Sequence, residues 1–206
     1  MFVTEFFDGE FSRSPVMAIL RGYGPDKTVQ LATRAWEMGI TCVEVPLQCE
    51  LDVASLEATV AAARGRSVTV GAGTILTIQG VQKAQAAGAS FIVSPGFDAD
   101  VISASMEAGL PPLPGVATAT DIQKATRAGL SWVKMFPASV LGPHWINSLR
   151  GPFPNIKIVA TGGMAAHNSQ QFLDLGADVV AIGSAFGDIN ELPWIAALHR
   201  PSSRTL

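Results

Sequence analysis

Eight short apolar runs alternate along the chain with longer stretches in which apolar and polar residues recur at helical spacing. Continuous apolar runs of this length are typical of strands that are buried on both faces. The predicted strands are Val16–Leu20, Cys42–Val45, Val68–Ala72, Phe91–Ser94, Pro112–Pro114, Trp132–Phe136, Ile156–Ala160 and Val179–Ile182. The predicted helices are Asp26–Met38, Leu51–Ala63, Thr77–Ala87, Asp98–Ala108, Thr120–Ala128 and Ala166–Leu175, with a short helix inside Gly142–Leu149 and a last one at Ile189–Leu198.

Glycines punctuate this pattern at the interval of one strand-helix unit. They recur 20 to 26 residues apart, and an apolar run begins about three residues after six of the seven. Glycine adopts the left-handed conformation at low cost, so each of these positions is predicted to end a helix. The seven glycines are Gly39, Gly65, Gly88, Gly109, Gly129, Gly151 and Gly176.

Eight strand-helix alternations without a linker-like segment predict an α/β fold, a single (β/α)8 TIM barrel that forms one domain over residues 1–206. The first fifteen residues are expected to form a helix or lid across the bottom of the barrel. An open doubly wound sheet is the alternative, and it would need a GxGxxG turn after its first strand. The segment Arg21-Gly22-Tyr23-Gly24 does not continue that motif.

Composition and charge narrow the function classes. The chain is 48% hydrophobic and 15% charged, and its net charge of −3 includes no basic run, which argues against a nucleic-acid partner or a membrane surface. Cys42 and Cys49 show neither a disulfide framework nor metal-ligand spacing. We therefore expect reduced cysteines and no bound metal. Because no signal peptide or anchor is recognisable, we also expect a cytoplasmic protein.

Lys134 is the first candidate for chemistry, because it stands in the middle of a predicted buried strand. Side chains alternate along a strand, so Lys134 points away from the face shared by Val133 and Met135. A buried ammonium can escape its desolvation cost by losing a proton, and the neutral amine is a nucleophile towards ketones. A lysine that extends its ammonium to water and binds nothing is the structural alternative.

Further polar residues follow the other predicted strands, at the end where barrel enzymes carry their active sites. Glu44 alternates with Val43 and Val45, so it is expected to share the mouth of the barrel with Lys134, either as a proton shuttle or as a structural ion-pair partner. Arg21 follows the first strand, where it could bind a carboxylate or phosphate or remain a solvated surface residue. Thr74 follows the third strand after two glycines, in what could also be a plain tight turn.

Glycine-rich turns follow the last two strands and predict a phosphate site. Thr161-Gly162-Gly163 ends the seventh strand and Gly183-Ser184 ends the eighth. Backbone amides exposed at these two turns form the phosphate cradle that is frequent in barrel enzymes. Such a cradle needs no lysine, which fits a chain with few basic residues.

These segments, in this order, resemble the 2-keto-3-deoxy-6-phosphogluconate and 4-hydroxy-2-oxoglutarate aldolase family along nearly the full length. The matching segments are Ala18-Ile19-Leu20-Arg21-Gly22, Val43-Glu44-Val45-Pro46-Leu47, Gly71-Ala72-Gly73-Thr74, Ser94-Pro95-Gly96, Pro114-Gly115-Val116-Ala117-Thr118, Lys134-Met135-Phe136-Pro137-Ala138, Thr161-Gly162-Gly163 and Gly183-Ser184. The Glu-Val-Pro-Leu turn and the Leu-Arg-Gly segment after the first strand, with Gly142-Pro143 followed by Ile146 and Leu149, are most similar to the 2-dehydro-3-deoxy-6-phosphogalactonate branch.

The resemblance implies a class I aldolase that needs no cofactor, forms a homotrimer and cleaves a phosphorylated 2-keto-3-deoxy sugar acid to pyruvate and D-glyceraldehyde 3-phosphate. It implies Lys134 as the Schiff-base lysine and Glu44 as the acid and base. It further implies substrate contacts from Arg21, Thr74, Pro95, Phe136 and Gln48, and phosphate contacts from Gly162, Gly163, Gly183 and Ser184.

Two positions depart from the family pattern. Gln48 stands where relatives carry Arg or Asn, and Gly96 stands where the galactonate branch usually has Asn. Gln48 can donate a hydrogen bond but adds no charge, which bears on how a substrate carboxylate is held. Three alternatives stay open at this stage: an aldolase for the gluconate substrate or for 4-hydroxy-2-oxoglutarate; an epimerase, decarboxylase or thiamine phosphate synthase on a related barrel; and a catalytically silent phosphate binder.

Overall fold

The computed structural model describes residues 2–188 and 190–198, and nine parallel strand segments in this part of the chain form one sheet. Two of the segments, Pro112–Leu113 and Gly115–Val116, are separated by Pro114 alone, and we treat them as the two halves of strand β5. The other strands are β1 Val16–Ile19, β2 Cys42–Pro46, β3 Thr69–Gly73, β4 Ile92–Val93, β6 Trp132–Met135, β7 Lys157–Thr161 and β8 Val179–Ile182.

Strand β5 closes the sheet into a barrel. Its first half pairs with β4 and its second half pairs with β6, while β1 joins β2 on one side and β8 on the other. Pro114 lacks an N–H, but its carbonyl accepts a hydrogen bond of 2.8 Å from the amide of Lys134, so the strand continues through the proline. The predicted (β/α)8 barrel is confirmed.

Helices follow the strands along the chain. They are α1 Phe2–Phe11, α2 Pro25–Glu37, α3 Glu50–Ala63, α4 Ile78–Ala86, α5 Ala99–Glu107, α6 Ala119–Arg127, α7 Ala138–Leu141, α8 His144–Arg150, α9 Ala166–Asp174 and α10 Leu192–Ala196, with a 3-10 turn at Ser184–Gly187. Thr77, Asp98 and Thr118 cap α4, α5 and α6 with side-chain oxygens that accept from backbone amides of the first helical turn. The predicted last helix began at residue 189, which lies outside the described residues.

The predicted left-handed glycine caps are confirmed at six of the seven positions, where φ lies between 74° and 102°. Gly151 also ends a helix, as the cap of α8, but the left-handed conformation predicted for it is wrong, because its φ is −61° and its ψ is −62°. The chain continues there in a right-handed conformation through a turn that Arg150 secures by donating to the carbonyls of Ile156 and Gly176.

Helix α1 closes the bottom of the barrel, as expected for the N-terminal segment. Phe7 is fully buried and lies with its ring edge towards Phe91, 5.7 Å between centroids, and Phe11 lies 5.0 Å from Trp132. Asp8 of the same helix accepts hydrogen bonds from the Trp132 indole and from Lys157. Aromatic packing and the hydrogen bonds to Asp8 close this end of the barrel, so a ligand site must form at the opposite end. In the described residues no helix has the length and apolar character needed to cross a bilayer.

Candidate active site

Lys134 lies on the inner face of the barrel, near the carboxyl end of β6. Its register partners are Gly115 on β5 and Val159 on β7, and its side chain is only 3% exposed. The Nζ atom lies 5.0 Å from the centroid of the Phe136 ring. Among the described residues no carboxylate lies within ion-pair distance of Lys134. The amine is therefore held in an apolar wall without a salt bridge.

Glu44 is the buried carboxyl group of the same end. Its side chain has no exposed surface, and neither carboxyl oxygen has a hydrogen-bond partner in the described part of the chain. Burial raises the pKa of Glu44 above its ordinary value, and the positive charges of Lys134 and Arg21 oppose this shift. The carboxyl group is thus neither a surface acid nor half of a tight ion pair, and it can exchange a proton closer to neutral pH than an ordinary glutamate.

The carboxyl group of Glu44 occupies space left free by a glycine on the neighbouring strand. A Cβ atom on Gly73 would overlap Oε1 of Glu44 and lie 2.5 Å from its Cδ and 2.7 Å from its Cγ. Real Cβ atoms essentially never come within 3.0 Å of another heavy atom. The absence of a side chain at Gly73 is therefore what lets Glu44 lie where it does.

A cavity of about 300 Å³ opens beside Lys134. It brings together seven of the predicted site residues, from strands that are far apart in sequence. Its lining residues are Ile19, Arg21, Lys134, Phe136, Thr161, Gly162, Gly163, Met164, Ala165, Ala181, Gly183 and Ser184. The glycine-rich turns of the seventh and eighth strands thus lie in the same cavity as the lysine.

The first of these turns depends on glycine in two ways. Gly162 and Gly163 have φ values of 95° and 72°, a region that other residues rarely adopt. A Cβ on Gly163 would also collide with Ser139 of helix α7, so the turn is held against that helix. Its amide groups can therefore approach a ligand with no side chain in between.

Three predicted substrate contacts lie outside this cavity. Thr74 and Gln48 line a neighbouring cavity of about 380 Å³, and Pro95 lies with Phe136 in a smaller one of about 120 Å³. Arg21 and Gln48 meet between the two larger cavities, where Nη1 of Arg21 donates to Oε1 of Gln48 at 2.6 Å. All three positions belong to the same end of the barrel as Lys134.

The backbone at Thr74 is unusual. Its φ of 59° puts a β-branched residue in the left-handed region, a conformation that costs free energy and occurs most often at functional sites. This feature supports a role for Thr74 at the mouth of the barrel independently of its side chain.

Sequence reasoning missed Thr161 as a lining residue. Its side chain is 3% exposed and its hydroxyl makes only a long contact of 3.5 Å with the carbonyl of Val159. Strand alternation could have identified it, because Thr161 shares a face with Val159, the register partner of Lys134. No three His, Cys, Asp or Glu side chains come together as a metal site would require anywhere in the described residues.

A closed parallel barrel with a buried lysine, a buried carboxyl group and glycine-rich turns at its carboxyl end defines a (β/α)8-barrel enzyme. The chain belongs to the KDPG and KHG aldolase family, because the sequence model of that family, "Aldolase: KDPG and KHG aldolase", matches residues 8–196. It is therefore an aldolase, a lyase of carbon–carbon bonds.

Two relatives and one solved structure illustrate the similarity. The 2-dehydro-3-deoxy-phosphogluconate aldolase of Treponema pallidum is 39% identical over 151 residues, 72% of this chain and 70% of that protein. The 2-dehydro-3-deoxy-6-phosphogalactonate aldolase of Escherichia coli is 34% identical over 174 residues, 84% of each chain. The KDPG aldolase of Legionella pneumophila, solved with pyruvate captured as a covalent carbinolamine intermediate, superposes with a TM-score of 0.80 at 27% identity, covering 92% of this chain and 94% of that one.

Proposed function

We propose that this chain is a Schiff-base aldolase that cleaves 2-dehydro-3-deoxy-6-phosphogalactonate to pyruvate and D-glyceraldehyde 3-phosphate. The observation that carries the proposal is the pairing of a buried, salt-bridge-free Lys134 with a buried Glu44 at the carboxyl end of the barrel. The covalent pyruvate adduct of the Legionella relative supports the same chemistry for its own site.

Lys134 supplies the electron sink. Its amine adds to the C2 ketone of the substrate, and loss of water from the carbinolamine gives an iminium. Glu44, acting through a water molecule, then takes the proton of the C4 hydroxyl, and the C3–C4 bond breaks with its electron pair delocalised into an enamine. Protonation of the enamine by Glu44 and hydrolysis of the resulting iminium release pyruvate and regenerate the lysine.

The raised pKa of Glu44 suits these two roles. A group that must accept a proton in one step and return it in another works best when its pKa lies near the working pH. Burial moves the pKa of Glu44 in that direction. The ring of Phe136, whose centroid lies 5.0 Å from Nζ of Lys134, would form the apolar wall against the pyruvyl part of the substrate.

Gly162, Gly163, Gly183 and Ser184 would hold the phosphate group through backbone amides and the serine hydroxyl. They share the cavity of about 300 Å³ with Lys134. A phosphate fixed there would keep the scissile bond in line with Lys134 and Glu44, so binding free energy from a remote group would serve orientation.

Arg21, Gln48 and Thr74 would hold the carboxylate and hydroxyl oxygens of the substrate at the other side of the mouth. Because Gln48 adds no charge, we expect free pyruvate to bind weakly relative to the phosphorylated substrate. Titration calorimetry with both ligands would test this expectation, and equal affinities would contradict it.

The gluconate epimer is the second candidate substrate. The Treponema relative is named for it and shares 39% identity with this chain, whereas the galactonate assignment is supported by the Glu44 and Arg21 segments and by the Escherichia coli relative. The two substrates differ only at C4, so kcat/KM measured for both epimers decides between them.

We further propose that the protein is a cytoplasmic homotrimer. The cytoplasmic location is supported by two cysteines that form no disulfide, and the trimer by large exposed apolar residues such as Leu51, Leu76 and Ile78. Light scattering in solution should give three times the mass of the chain, and a monomer would contradict the trimer.

Borohydride trapping in the presence of pyruvate tests the core of the proposal. Reduction converts an iminium into a stable secondary amine, and peptide mass spectrometry then identifies the modified residue. We expect a pyruvyl adduct on Lys134. A folded protein with no adduct on any lysine would overturn the Schiff-base mechanism and favour a silent phosphate binder.

A further inference from the structure

Gly73 is the last residue of β3, and it faces into the barrel beside Glu44. The register pairs Gly73 with Pro46 and pairs Gly71 with Glu44, so both glycines belong to the inner layer of β3. Each glycine leaves a space that a neighbouring side chain fills. The carboxyl group of Glu44 fills the space at Gly73, and the ring of Phe91 fills the space at Gly71.

The two filled spaces differ in what holds the filling group. Phe91 is fixed by ring contacts with Phe6 and Phe7 of helix α1. The oxygens of Glu44 have no hydrogen-bond partner in the described part of the chain, so hydrogen bonds do not fix the carboxyl group. Its position is set by burial and by the shape of the wall around it.

Backbone conformation does not explain the glycine at position 73. Its φ lies outside the left-handed region that favours glycine, whereas Gly162 and Gly163 lie inside it. An alanine could adopt the backbone of Gly73 without strain. The remaining reason for a glycine at position 73 is that the side chain of Glu44 occupies the space that a larger residue would fill.

We infer that Gly73 is a positioning residue for the acid–base step: its missing side chain fixes where the carboxyl group of Glu44 lies relative to the Lys134 adduct. The inference rests on the proposed function. A methyl group at position 73 would push the flexible end of Glu44 out of its place, because the side chain can rotate whereas the strand cannot move aside. A displacement of about 1 Å can cost roughly 100-fold in rate.

Exchange of the methyl protons of pyruvate with deuterium oxide isolates this step. The iminium on Lys134 loses a C3 proton to Glu44, the enamine takes up a deuteron, and the label in pyruvate is followed by NMR. In Gly73→Ala we expect exchange to fall about 100-fold, while borohydride still traps pyruvate on Lys134. Exchange within about 3-fold of the unmodified protein would overturn the inference.

Two other glycines provide matched controls. A Cβ on Gly151 meets nothing within 4 Å, and φ there is −61°, so Gly151→Ala should leave exchange and Tm unchanged. Gly71→Ala, where the Cβ would overlap the Phe91 ring, should lower Tm and leave exchange per folded molecule within about 3-fold. If Gly71→Ala lost as much exchange as Gly73→Ala, any disturbance of β3 would be enough to stop the proton transfer, and the inference would be contradicted.

A side chain without these atoms tests the contact directly. Glu44→Ala removes the Cγ, Cδ and Oε1 atoms that a Cβ at position 73 would meet, so adding Gly73→Ala to this variant should lower its residual exchange by less than about 3-fold. A further 100-fold fall in this background would contradict the inference. If Gly73→Ala alone fails to fold, recovery of folded protein in the double variant supports the contact, and an unfolded double variant rejects it.

The pH dependence gives an independent readout. A displaced carboxyl group is better solvated, so the acid limb of exchange should move to lower pH in Gly73→Ala, although Lys134, Arg21 and Cys42 still surround the site. An unchanged limb would contradict the displacement. Absence of both adduct and exchange in the unmodified protein would instead reject the proposed function.

Discussion

Two lysines on neighbouring strands of the barrel show how the same residue type can have opposite surroundings. Lys157 begins β7 at the bottom, is 37% exposed and bonds to Asp8 at 2.5 Å. Lys134 lies near the top of β6, is 3% exposed and has no salt bridge in the described residues. Each ammonium lies near an aromatic ring, 5.5 Å from Trp132 for Lys157 and 5.0 Å from Phe136 for Lys134.

The two acids differ in the same way. Burial alone would raise the pKa of Asp8, but hydrogen bonds from Lys157 and Trp132 and the charge of Lys157 bring it below the ordinary value. Burial raises the pKa of Glu44, and the charges of Lys134 and Arg21 do not cancel that effect. Asp8 and Lys157 at the bottom are bonded to each other and stabilise the fold. Glu44 and Lys134 at the top lack such partners in the described part of the chain, which costs stability but leaves both groups available for chemistry.

Replacing each lysine by arginine should give the largest difference in activity between the two ends of the barrel. Lys134→Arg removes the amine that forms the iminium, so we expect cleavage to fall on the order of 10⁴-fold or more, while inorganic phosphate still binds. Lys157→Arg keeps the charge beside Asp8 and should change kcat by less than about 2-fold. Cleavage by Lys134→Arg above the background of a mock purification would refute the Schiff-base role.

Replacing the unsatisfied acid should lower activity and raise stability together. Glu44→Gln removes the proton carrier, and we expect kcat to fall about 100-fold to 1,000-fold in steady-state assays. Between the ordinary value of 4.5 and the raised pKa of Glu44, the folded protein holds a proton that the unfolded chain has lost. Stability of the unmodified protein therefore falls as pH rises through this window.

Thermal melts at several pH values test that stability effect. Glu44→Gln should melt higher than the unmodified protein at neutral pH, by about 2–4 °C for each kcal/mol gained. The difference should shrink as the pH falls towards and below the ordinary value of 4.5, because Glu44 then becomes protonated in the unfolded state as well. A lower Tm at neutral pH would show that the Glu44 carboxylate stabilises the fold instead.

The difference between the two ends also explains what the sequence could predict. The strands, the helices and the inward direction of Lys134 and Glu44 follow from local periodicity. The structure places the strands and helices α2 to α6 and α9 within two residues of the predicted bounds, whereas α10 begins three residues later than predicted and α7 was not predicted. The glycine repeat located the helix ends for the same reason, since it reports a local backbone conformation. At Gly151 it located the helix end but not the backbone conformation, because the turn there is secured by hydrogen bonds from Arg150 to residues further along the chain.

What the sequence could not predict depends on distances between strands. The ion pair of Asp8 with Lys157 joins residues 149 positions apart, and the hydrogen bond between Arg21 and Gln48 joins residues 27 positions apart. The space that Gly73 leaves for Glu44 is also a relation between two strands. No local pattern marks these contacts, because they exist only once the barrel closes.

Removing the charge at the bottom should reduce stability and leave catalysis intact. Asp8→Asn keeps an acceptor for the Trp132 indole but loses the ion pair, and we expect a loss of about 1 kcal/mol, a modest effect because the pair is partly exposed. Asp8 has a lowered pKa, so its contribution is present above the ordinary value of 3.8 and is lost as pH falls through the folded-state pKa. Melts should therefore differ at neutral pH and converge in acid, with kcat unchanged.

The smallest effect is expected at the rim, where Gln48 holds Arg21 between the two larger cavities. Gln48→Leu removes the oxygen that accepts a hydrogen bond from Arg21 at 2.6 Å. Because Arg21 is then held less firmly, we expect a loss of about 1 kcal/mol in the free energy of substrate binding, which should raise KM roughly 3-fold to 10-fold. We expect kcat to stay within about 2-fold, because neither residue takes part in the proton transfers. Gln123→Leu on the exposed face of α6 is the matched control. A fall in kcat with constant KM would mean instead that Gln48 acts on the transition state.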